Sequence, residues 1–524
     1  MHLFPFAACA LSGVLFAAAH PIFGDGWGLP LLVWVALVPA LLVTLRGSPA
    51  QAAAGGAVVG AVVAVLVGRW IPEAVRLHYE AGPALAYGIS LVHALTLAPV
   101  WALLFWAVHR LHHRGVSLLL ALPLVVAAVE CWAPRIFPGN LATPLYLQPT
   151  WLQLADVFGM PGVSAVVAVV PAAIVLTLQD RRNRTVAKHA LGTAALVLLA
   201  AQLYGQAQLW SLDRTLPNLR TVDVGVVQPG IFEPRALADT AERLAILQRG
   251  AAELEARGAQ LIVWPESAYR VASVTRDVGA FPQRAKAVGD GLIPQSGFRV
   301  PLLFGGVSVD PEDGTRAWNT AWLLDDTGKV ALRYDKSKMV PIVEDDALLL
   351  PLRWLFGDSF GPEGLQAGER LGIGTVNLQD GSTLRVGVLI CYESILSSFV
   401  AQLGTHRPEL ILNIANDAHY GSPVERELHL AALLPRSIEL RRSMARATLN
   451  GVSAFIDPGG RILQAERAPT PAAMLQPLPI STMTSLSPLT APALAVFVLG
   501  ACVFLGTRRG TTPPPHRPAE EAQS

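Results

Sequence analysis

The sequence predicts a polytopic α-helical membrane domain of about eight spans joined to a layered α/β domain. Three observations carry this. Of 524 residues 52% are hydrophobic and 15% charged, and the mean hydropathy of +0.43 lies far above that of a soluble protein. The charges are segregated: they make up about 8% of residues 1–209 and about 21% of residues 210–480. Long apolar blocks fill the first segment and recur once near the end, whereas the middle consists of short β-rich runs separated by helical segments. A fully soluble chain is therefore excluded. A net charge of +1, without a basic run interleaved with aromatics, excludes an electrostatic nucleic-acid binder. Cys9, Cys131, Cys391 and Cys502 form neither a dense disulfide framework nor a CxxC metal site. No metal or other cofactor is expected.

Apolar runs long enough to span a bilayer fall at residues 6–23, 29–45, 51–68, 83–108, 115–133, 163–178, 187–207 and 488–506. The first has no Lys or Arg before it, so it reads as a retained helix and not as a cleaved signal. With the N-terminus cytoplasmic, the inner loops and tail hold Arg46, Arg110, Arg114, Arg181, Arg182, Arg184, Lys188, Arg508, Arg509 and Arg517, against Arg69, Arg76 and Arg135 outside. Both termini are thus predicted inside, and residues 210–480 on the opposite face, the periplasm of a bacterium. The expected parts are residues 1–209 with seven spans, a catalytic domain over 210–480, the eighth span within 481–507 and a disordered cytoplasmic tail over 508–524. Apart from groups at span edges such as His20, Lys188 and His189, the ionisable groups within spans are Glu130 and His93. They either line a lipid or proton path, or sit at the interface and in a hydrogen-bonded bundle position respectively. Residues 134–162 are too rich in Pro, Gly and aromatics to span, and Tyr146, Trp151 and Leu152 suit an interfacial position.

In the polar part, strands are expected at residues 222–228, 260–264, 301–309, 318–325, 329–333, 383–390, 409–414 and 451–457. Residues 236–257 carry Leu237, Ala241, Leu244, Leu247, Ala251 and Leu254 at helical spacing. A helix should follow Cys391, and another should run over 425–442 with a break at Pro435.

Three strand ends carry chemistry. Trp264-Pro265-Glu266-Ser267 delivers a carboxylate, Tyr334-Asp335-Lys336-Ser337 a lysine, and Ile390-Cys391-Tyr392-Glu393 a thiol where a buried strand turns into a helix. Open α/β sheets present functional groups at such positions. Each residue alone reads equally as a core thiol, a helix cap or a solvated lysine. Together they form a set suited to acyl transfer. A carboxylate takes the proton of a thiol that is otherwise mostly protonated, and an ammonium stabilises the thiolate and the oxyanion that follows. The product of the first step is a thioester.

These residues resemble the Glu-Lys-Cys triad of the nitrilase superfamily, and the likeness extends over residues 220–466, including Val226-Val227-Gln228, Asn413-Ile414-Ala415-Asn416-Asp417 and Arg446 to Val452. A nitrilase-like domain set between membrane spans resembles the bacterial apolipoprotein N-acyltransferase family, as does the stretch Leu154 to Ser164. The resemblance implies a nitrilase-like αββα sandwich, with Cys391 as nucleophile, Glu266 as general base and acid, and Lys336 as stabiliser of thiolate and oxyanion. It further implies that Glu344 orients the lysine or tunes the site, that the Tyr392 N–H donates to the oxyanion and that Glu393 pins the loop. The implied partners are a phospholipid acyl donor and a diacylglyceryl apolipoprotein acceptor, at the bacterial inner membrane. Three places depart from the family pattern. Val340-Pro341-Ile342-Val343-Glu344 lacks the usual glycine, residues 232–236 lack the usual tryptophan, and His419-Tyr420 replaces Trp-Phe. They leave open a membrane-bound amidase, in which water resolves the thioester, or a paralogue with another amine acceptor. Residues 272–300 and 343–372 are candidate lids by length and composition.

Overall fold

The computed structural model describes residues 4–79, 82–180, 183–230, 240–273, 293–310, 316–341, 344 and 365–507. Most of both candidate lids, residues 232–236, Ile342, Val343 and the tail 508–524 lie outside these.

The first part is helical: α1 (Phe4–Ala19), a 3₁₀ turn at Pro30–Trp34, α2 (Val38–Thr44), α3 (Pro49–Val67), α4 (Ile71–Tyr79), α5 (Pro83–His113), α6 (Leu118–Trp132), α7 (Pro149–Leu152), α8 (Ala155–Gln179) and α9 (Arg184–Thr215). Seven of the eight expected spans fall largely on α-helix, whereas the second, 29–45, is a 3₁₀ turn, an irregular stretch and the short α2, and the count of eight is not reached by length. Among the described residues five helices are long and apolar enough to cross a membrane: α3, α5, α8, the α9 segment and the last helix. Residues 5–19, 30–44 and 118–132 are apolar but shorter. A proline stands near each break, and after α1 and α6 it fits the rule that the residue before Pro disfavours the helical region. Pro21 follows α1, Pro39 sits in the first turn of α2 after an irregular stretch, and Pro134 follows α6. In α8, Gly159 at φ +64° breaks the helical path just before Pro161.

The second part is a two-sheet sandwich. Its first sheet holds β1 (Thr221–Gln228), β2 (Leu261–Val263), β3 (Tyr269–Ser273), β4 (Leu302–Val309), β5 (Ala317–Leu324), β6 (Val330–Asp335) and the late strand Ala472–Pro479. The order is late strand, β1, β2, β4, β5, β6, with β3 paired to β4. The second sheet holds β7 (Gly372–Asn377), β8 (Thr383–Ile390), β9 (Leu410–Ala415), β10 (Ser443–Thr448), β11 (Ser453–Ile456) and β12 (Ile462–Glu466), ordered β12-β11-β10-β9-β8-β7. The late strand is β13. Alternating residues such as Val224, Val263 and Leu303 of one sheet and Val386, Leu412 and Ile414 of the other form one shared, fully buried core. That alternation is the period of two expected of a strand with distinct faces.

Helix α10 (Thr240–Ala256) covers the outside of the first sheet through Leu244, Leu247, Ala251 and Leu254. The outside of the second sheet is covered by α11 (Ser397–Thr405), α12 (Pro423–Leu433) and α13 (Pro435–Leu440). Those helices pack on membrane helices as well, so Leu389, Ile411 and Met444 belong to one core with Val126, Met160 and Val167. The chain leaves through α14 (Ser487–Thr507). The expected break at Pro435 is present, and the helical stretch ends at Leu440, where Arg441 turns left-handed at φ 53° and β10 begins.

Tyr146 and Leu152, expected at an interfacial position, pack inside the protein. Leu152 is fully buried, and Tyr146 is buried with its hydroxyl donating to Glu427 at 2.5 Å. Residues 134–154 form a junction between the two parts, whereas residues 155–162, expected not to span, begin α8, which is long and apolar enough to do so because Gly159 and Pro161 bend that helix without ending it.

Candidate active site

The sandwich brings Glu266, Lys336, Glu344, Cys391, Tyr392 and Glu393 to one end. Glu266 follows β2 and Cys391 follows β8, and both strand ends break sharply: Ser267 has φ 55° and Cys391 φ 49°. A left-handed non-glycine residue costs about 1–3 kcal/mol and persists only where its surroundings hold it. At Cys391 the holding bonds are visible. Glu393 Oε2 accepts from the Ile390 N–H at 2.8 Å, and the Ser394 hydroxyl donates to the Cys391 carbonyl at 2.7 Å. At Glu266 the neighbouring strand passes close. A side chain at Gly305 would meet the Glu266 Cα at 2.6 Å, so glycine is required there.

Lys336 is fully buried. Its Nζ lies 2.8 Å from Glu344 Oε1 and 3.6 Å from Glu266 Oε1. Burial by itself pulls the ammonium pKa down, but the charges of Glu344, Glu266 and Cys391 outweigh it and hold the lysine well above its ordinary value. Burial pushes the Glu266 carboxyl up, against the pull of Lys336 and with the help of Glu344. Asn319 Nδ2 donates to Glu266 Oε1 at 2.6 Å and fixes its orientation. Burial, then Glu266, push the Cys391 thiol up, with Lys336 opposing. The resting sulfur is a thiol beside a carboxylate of raised proton affinity, an arrangement suited to general-base activation.

Glu393 ties two strand ends together. Its Oε1 accepts from the Tyr334 hydroxyl at 2.6 Å and from the N–H groups of Ser337 and Lys338 at 2.7 and 3.1 Å, while Oε2 holds Ile390. The loop carrying Lys336 is thereby fastened to the loop carrying Cys391, although they belong to different sheets. Glu344 accepts from the Val340 N–H at 2.8 Å. Tyr392 sends its hydroxyl to the Ile136 carbonyl at 2.5 Å, a contact with the junction segment.

A cavity of about 200 Å³ opens at Cys391 and runs among the membrane helices. Phe16, Val63, Leu97, Trp101, Leu104 and Val126 line its apolar length, while Tyr392, Tyr420 and His429 stand with Cys391 at the other end. Both ionisable residues noted within the spans border it. Glu130 accepts from Asn140 Nδ2 and from the Leu141 N–H, each at 2.6 Å.

Sequence reasoning missed a buried network behind the thiol. Arg446 Nη2 donates to Asp417 Oδ2 at 2.8 Å, and His429 Nδ1 lies 3.1 Å from Asp417 Oδ1. His429 Nε2 lies 3.3 Å from Ser394 Oγ. Against the effect of burial, Arg446 and His429 hold the Asp417 carboxyl below its ordinary range, and burial keeps the imidazole neutral. Asp417, Glu425 and His429 offer three ligand-type atoms within 4.8 Å. The Arg446 guanidinium already supplies positive charge at Asp417. Asn319 was also missed, since one asparagine in a strand gives no signal until its facing partner is known.

A carbon-nitrogen hydrolase family model matches residues 223–473, and with the sandwich it defines a nitrilase-type enzyme domain mounted on membrane helices. The model of the apolipoprotein N-acyltransferase N-terminal domain matches residues 12–173. An apolipoprotein N-acyltransferase of Pseudomonas syringae pv. tomato is 30% identical over 467 residues, covering 87% of this chain and 87% of that protein. Those of Geobacter metallireducens and Gloeobacter violaceus are 28% and 29% identical, covering 86% of this chain and 85% and 84% of their own lengths. The chain belongs to the apolipoprotein N-acyltransferase family and is an acyltransferase.

Proposed function

We propose that the protein transfers an acyl chain from a membrane phospholipid to the α-amino group of the S-diacylglyceryl cysteine of an apolipoprotein, through a thioester on Cys391. The observation that carries this reading is the apolar cavity that joins Cys391 to the interior of the helical part. A soluble amidase has no use for such a slot. An enzyme handling acyl chains avoids a desolvation cost of about 0.8 kcal/mol per CH₂ by never extracting the chain into water.

In the first step Glu266 takes the Sγ proton as sulfur attacks the ester carbonyl carbon. The C–S bond forms, and the oxyanion faces the Lys336 ammonium and the Tyr392 N–H. Collapse breaks the ester C–O bond, and Glu266 returns the proton to the departing lysophospholipid oxygen. In the second step the acceptor amine attacks the thioester carbon, the C–S bond breaks, and the amine proton passes through Glu266 to sulfur. Glu344 positions Lys336, and Glu393 positions the two loops.

The reading extends to placement: an inner-membrane protein with both termini cytoplasmic and residues 210–480 periplasmic. The excess of Lys and Arg in the predicted inner loops supports it. So does the proximity of Arg114, after α5, to Gly506 near the end of α14.

The test uses purified protein in detergent with phosphatidylethanolamine. Intact mass should rise by one acyl group, Cys391→Ala should abolish the rise, and a diacylglyceryl peptide should discharge the acyl group into its own N-terminal amide. Absence of acylation in folded protein sinks the proposal. Discharge to free fatty acid alone favours the amidase reading.

A further inference from the structure

Glu425 lies in the first turn of α12, two residues after Pro423, and the mechanism above does not use it. The residue is only 6% exposed, yet its Oε2 has no hydrogen-bond partner among the described residues. It borders the same cavity as Cys391. An unsatisfied buried carboxyl oxygen is costly, and proteins rarely retain one without a use for it.

The neighbouring groups do not satisfy it. Glu425 Oε1 is 3.7 Å from His429 Nδ1, beyond hydrogen-bond distance, and that nitrogen faces Asp417 Oδ1 at 3.1 Å. Of the two nearby guanidiniums, Arg446 is committed to Asp417, Asn413 and the Val452 carbonyl. Arg426 donates to the carbonyls of Ser422 and Asn450. Burial, followed by the negative charge of Asp417, pushes the Glu425 carboxyl well above its ordinary range. The resting group is then the uncharged acid, and an arriving cation with N–H donors is what makes the ionised form favourable there.

We propose that Glu425 is the docking point for a primary ammonium group inside the reaction cavity. This rests on the thioester reading, since such a group has a reason to enter only if Cys391 handles an amine-bearing lipid. Docking forms an ammonium–carboxylate pair and releases the resting carboxyl proton to solvent. Two sources present the same chemistry: the ethanolamine headgroup of a phospholipid donor and the α-amine of the acceptor. Around Glu425 the cavity wall is apolar at Leu428, Ile395 and Ala432 and carries the uncharged polar groups of Tyr392, Tyr420 and His429, while the other carboxyl that borders it, Glu130, accepts from Asn140 and the Leu141 N–H. The unpartnered Glu425 oxygen therefore provides the discrimination between an amine and a hydroxyl at this end. A site built around a hydrogen-bonding charge rejects an analogue lacking the group far better than apolar packing does.

The experiment compares Glu425→Gln with the wild type in two separated half-reactions. Loading of Cys391 is followed by intact mass with phosphatidylethanolamine and with phosphatidylglycerol, which lacks an ammonium. Transfer is followed in a single turnover from enzyme preloaded with phosphatidylglycerol to a diacylglyceryl peptide. Loading from phosphatidylglycerol should be unchanged, which also shows that the thioester chemistry stands. The ammonium-dependent step should fall by about tenfold or more, as expected for losing a charge-assisted hydrogen bond. A fall in phosphatidylethanolamine loading identifies the headgroup, and a fall in transfer identifies the acceptor. An equal fall with both donors, or no fall in either half-reaction, overturns the proposal. If Glu425→Gln does not fold, the wild type decides. Glycerophosphoethanolamine or a short N-terminal cysteinyl peptide should inhibit its half-reaction, whereas the N-acetylated forms should not. Equal inhibition by amine and N-acetyl forms also overturns it.

Discussion

The outer faces of the two sheets are covered in different ways. Over the first sheet lies α10, a single amphipathic helix that buries Leu244, Leu247 and Leu254 and leaves Glu242, Arg249 and Glu253 exposed to solvent. Over the second sheet lie α11 to α13, themselves covered by membrane helices, so that residues 435–442 are buried throughout. The charges there are paired internally: Arg436 with Glu439 at 2.9 Å, and Arg441 with Asp156 of α8 at 2.5 Å. One face of the sandwich is wet and the other is dry. Glu266 and Lys336 come from the wet-covered sheet and Cys391 from the dry-covered one. The cavity opens where the two meet, with the thiol on the side of the helical part. Both the Lys336 ion pairs and the dry face depend on buried charges, and removing one partner of such a pair is expensive because the other is stranded.

The largest effect should follow from breaking the pair that bridges the sheets. Lys336→Met strands Glu266 and Glu344. Cys391 acylation should vanish, and stability should drop by about 3–5 kcal/mol, read as a lower unfolding temperature in detergent. A stable, acylation-competent variant would contradict this. Next comes the tether on the dry face. The Arg441 guanidinium also donates to Gln153 Oε1 at 2.7 Å. Arg441→Met should cost about 2–4 kcal/mol, somewhat less than Lys336→Met because the Tyr204 hydroxyl still donates to Asp156 at 2.8 Å. Unchanged thermal stability would mean that the dry face does not depend on this ion pair.

Much of this was legible in the sequence, for reasons that differ between the faces. β8 and the turn at Cys391 announced themselves because an apolar run stops at a thiol, and the site residues follow from three such strand ends. β10 did not, because Ser443, Arg446 and Thr448 look like surface residues. All three are fully buried and hydrogen-bonded, Arg446 to Asp417 and Asn413, Thr448 to Gln228 and Ser453. A polar strand satisfied mostly by partners far along the chain, such as Asn413, Asp417 and Gln228, has no local signature. β7, with Gly372 and Gly374, and the outlying β12 and β13 were missed because they lack a long apolar run. Glu425 was unreadable for another reason. An acidic residue in a first helical turn is favoured by the helix dipole and normally faces water. Only the membrane helices packed over α12 put it in a cavity.

A smaller effect concerns the proton on Glu266. Because its carboxyl is raised, the acid limb of the loading rate should lie above the ordinary glutamate value of 4.5. Below that limb Glu266 is protonated and unable to take the thiol proton, so loading falls as pH falls. Glu344 contributes to the elevation by like charge. Glu344→Gln should therefore move the acid limb to lower pH while reducing the plateau, since Lys336 loses its 2.8 Å partner. An acid limb that stays in place or moves up would show that Glu344 does not act on Glu266.

The smallest effect tests the wet face and makes the contrast quantitative. Arg257 just after α10 pairs with Glu253 at 3.1 Å, with side chains 44% and 60% exposed. Water and salt screen such a pair, and holding two long side chains in one geometry costs entropy, so its net worth is about 0–1 kcal/mol. Arg257 also donates to the Ala473 carbonyl at 3.1 Å, a bond that water can replace. Arg257→Ala should shift the unfolding temperature little and leave Cys391 acylation at the wild-type rate. A loss comparable to that of Arg441→Met would mean that exposure of the charges does not set their worth in this protein, and the division of the sandwich into a wet and a dry face would lose its energetic meaning.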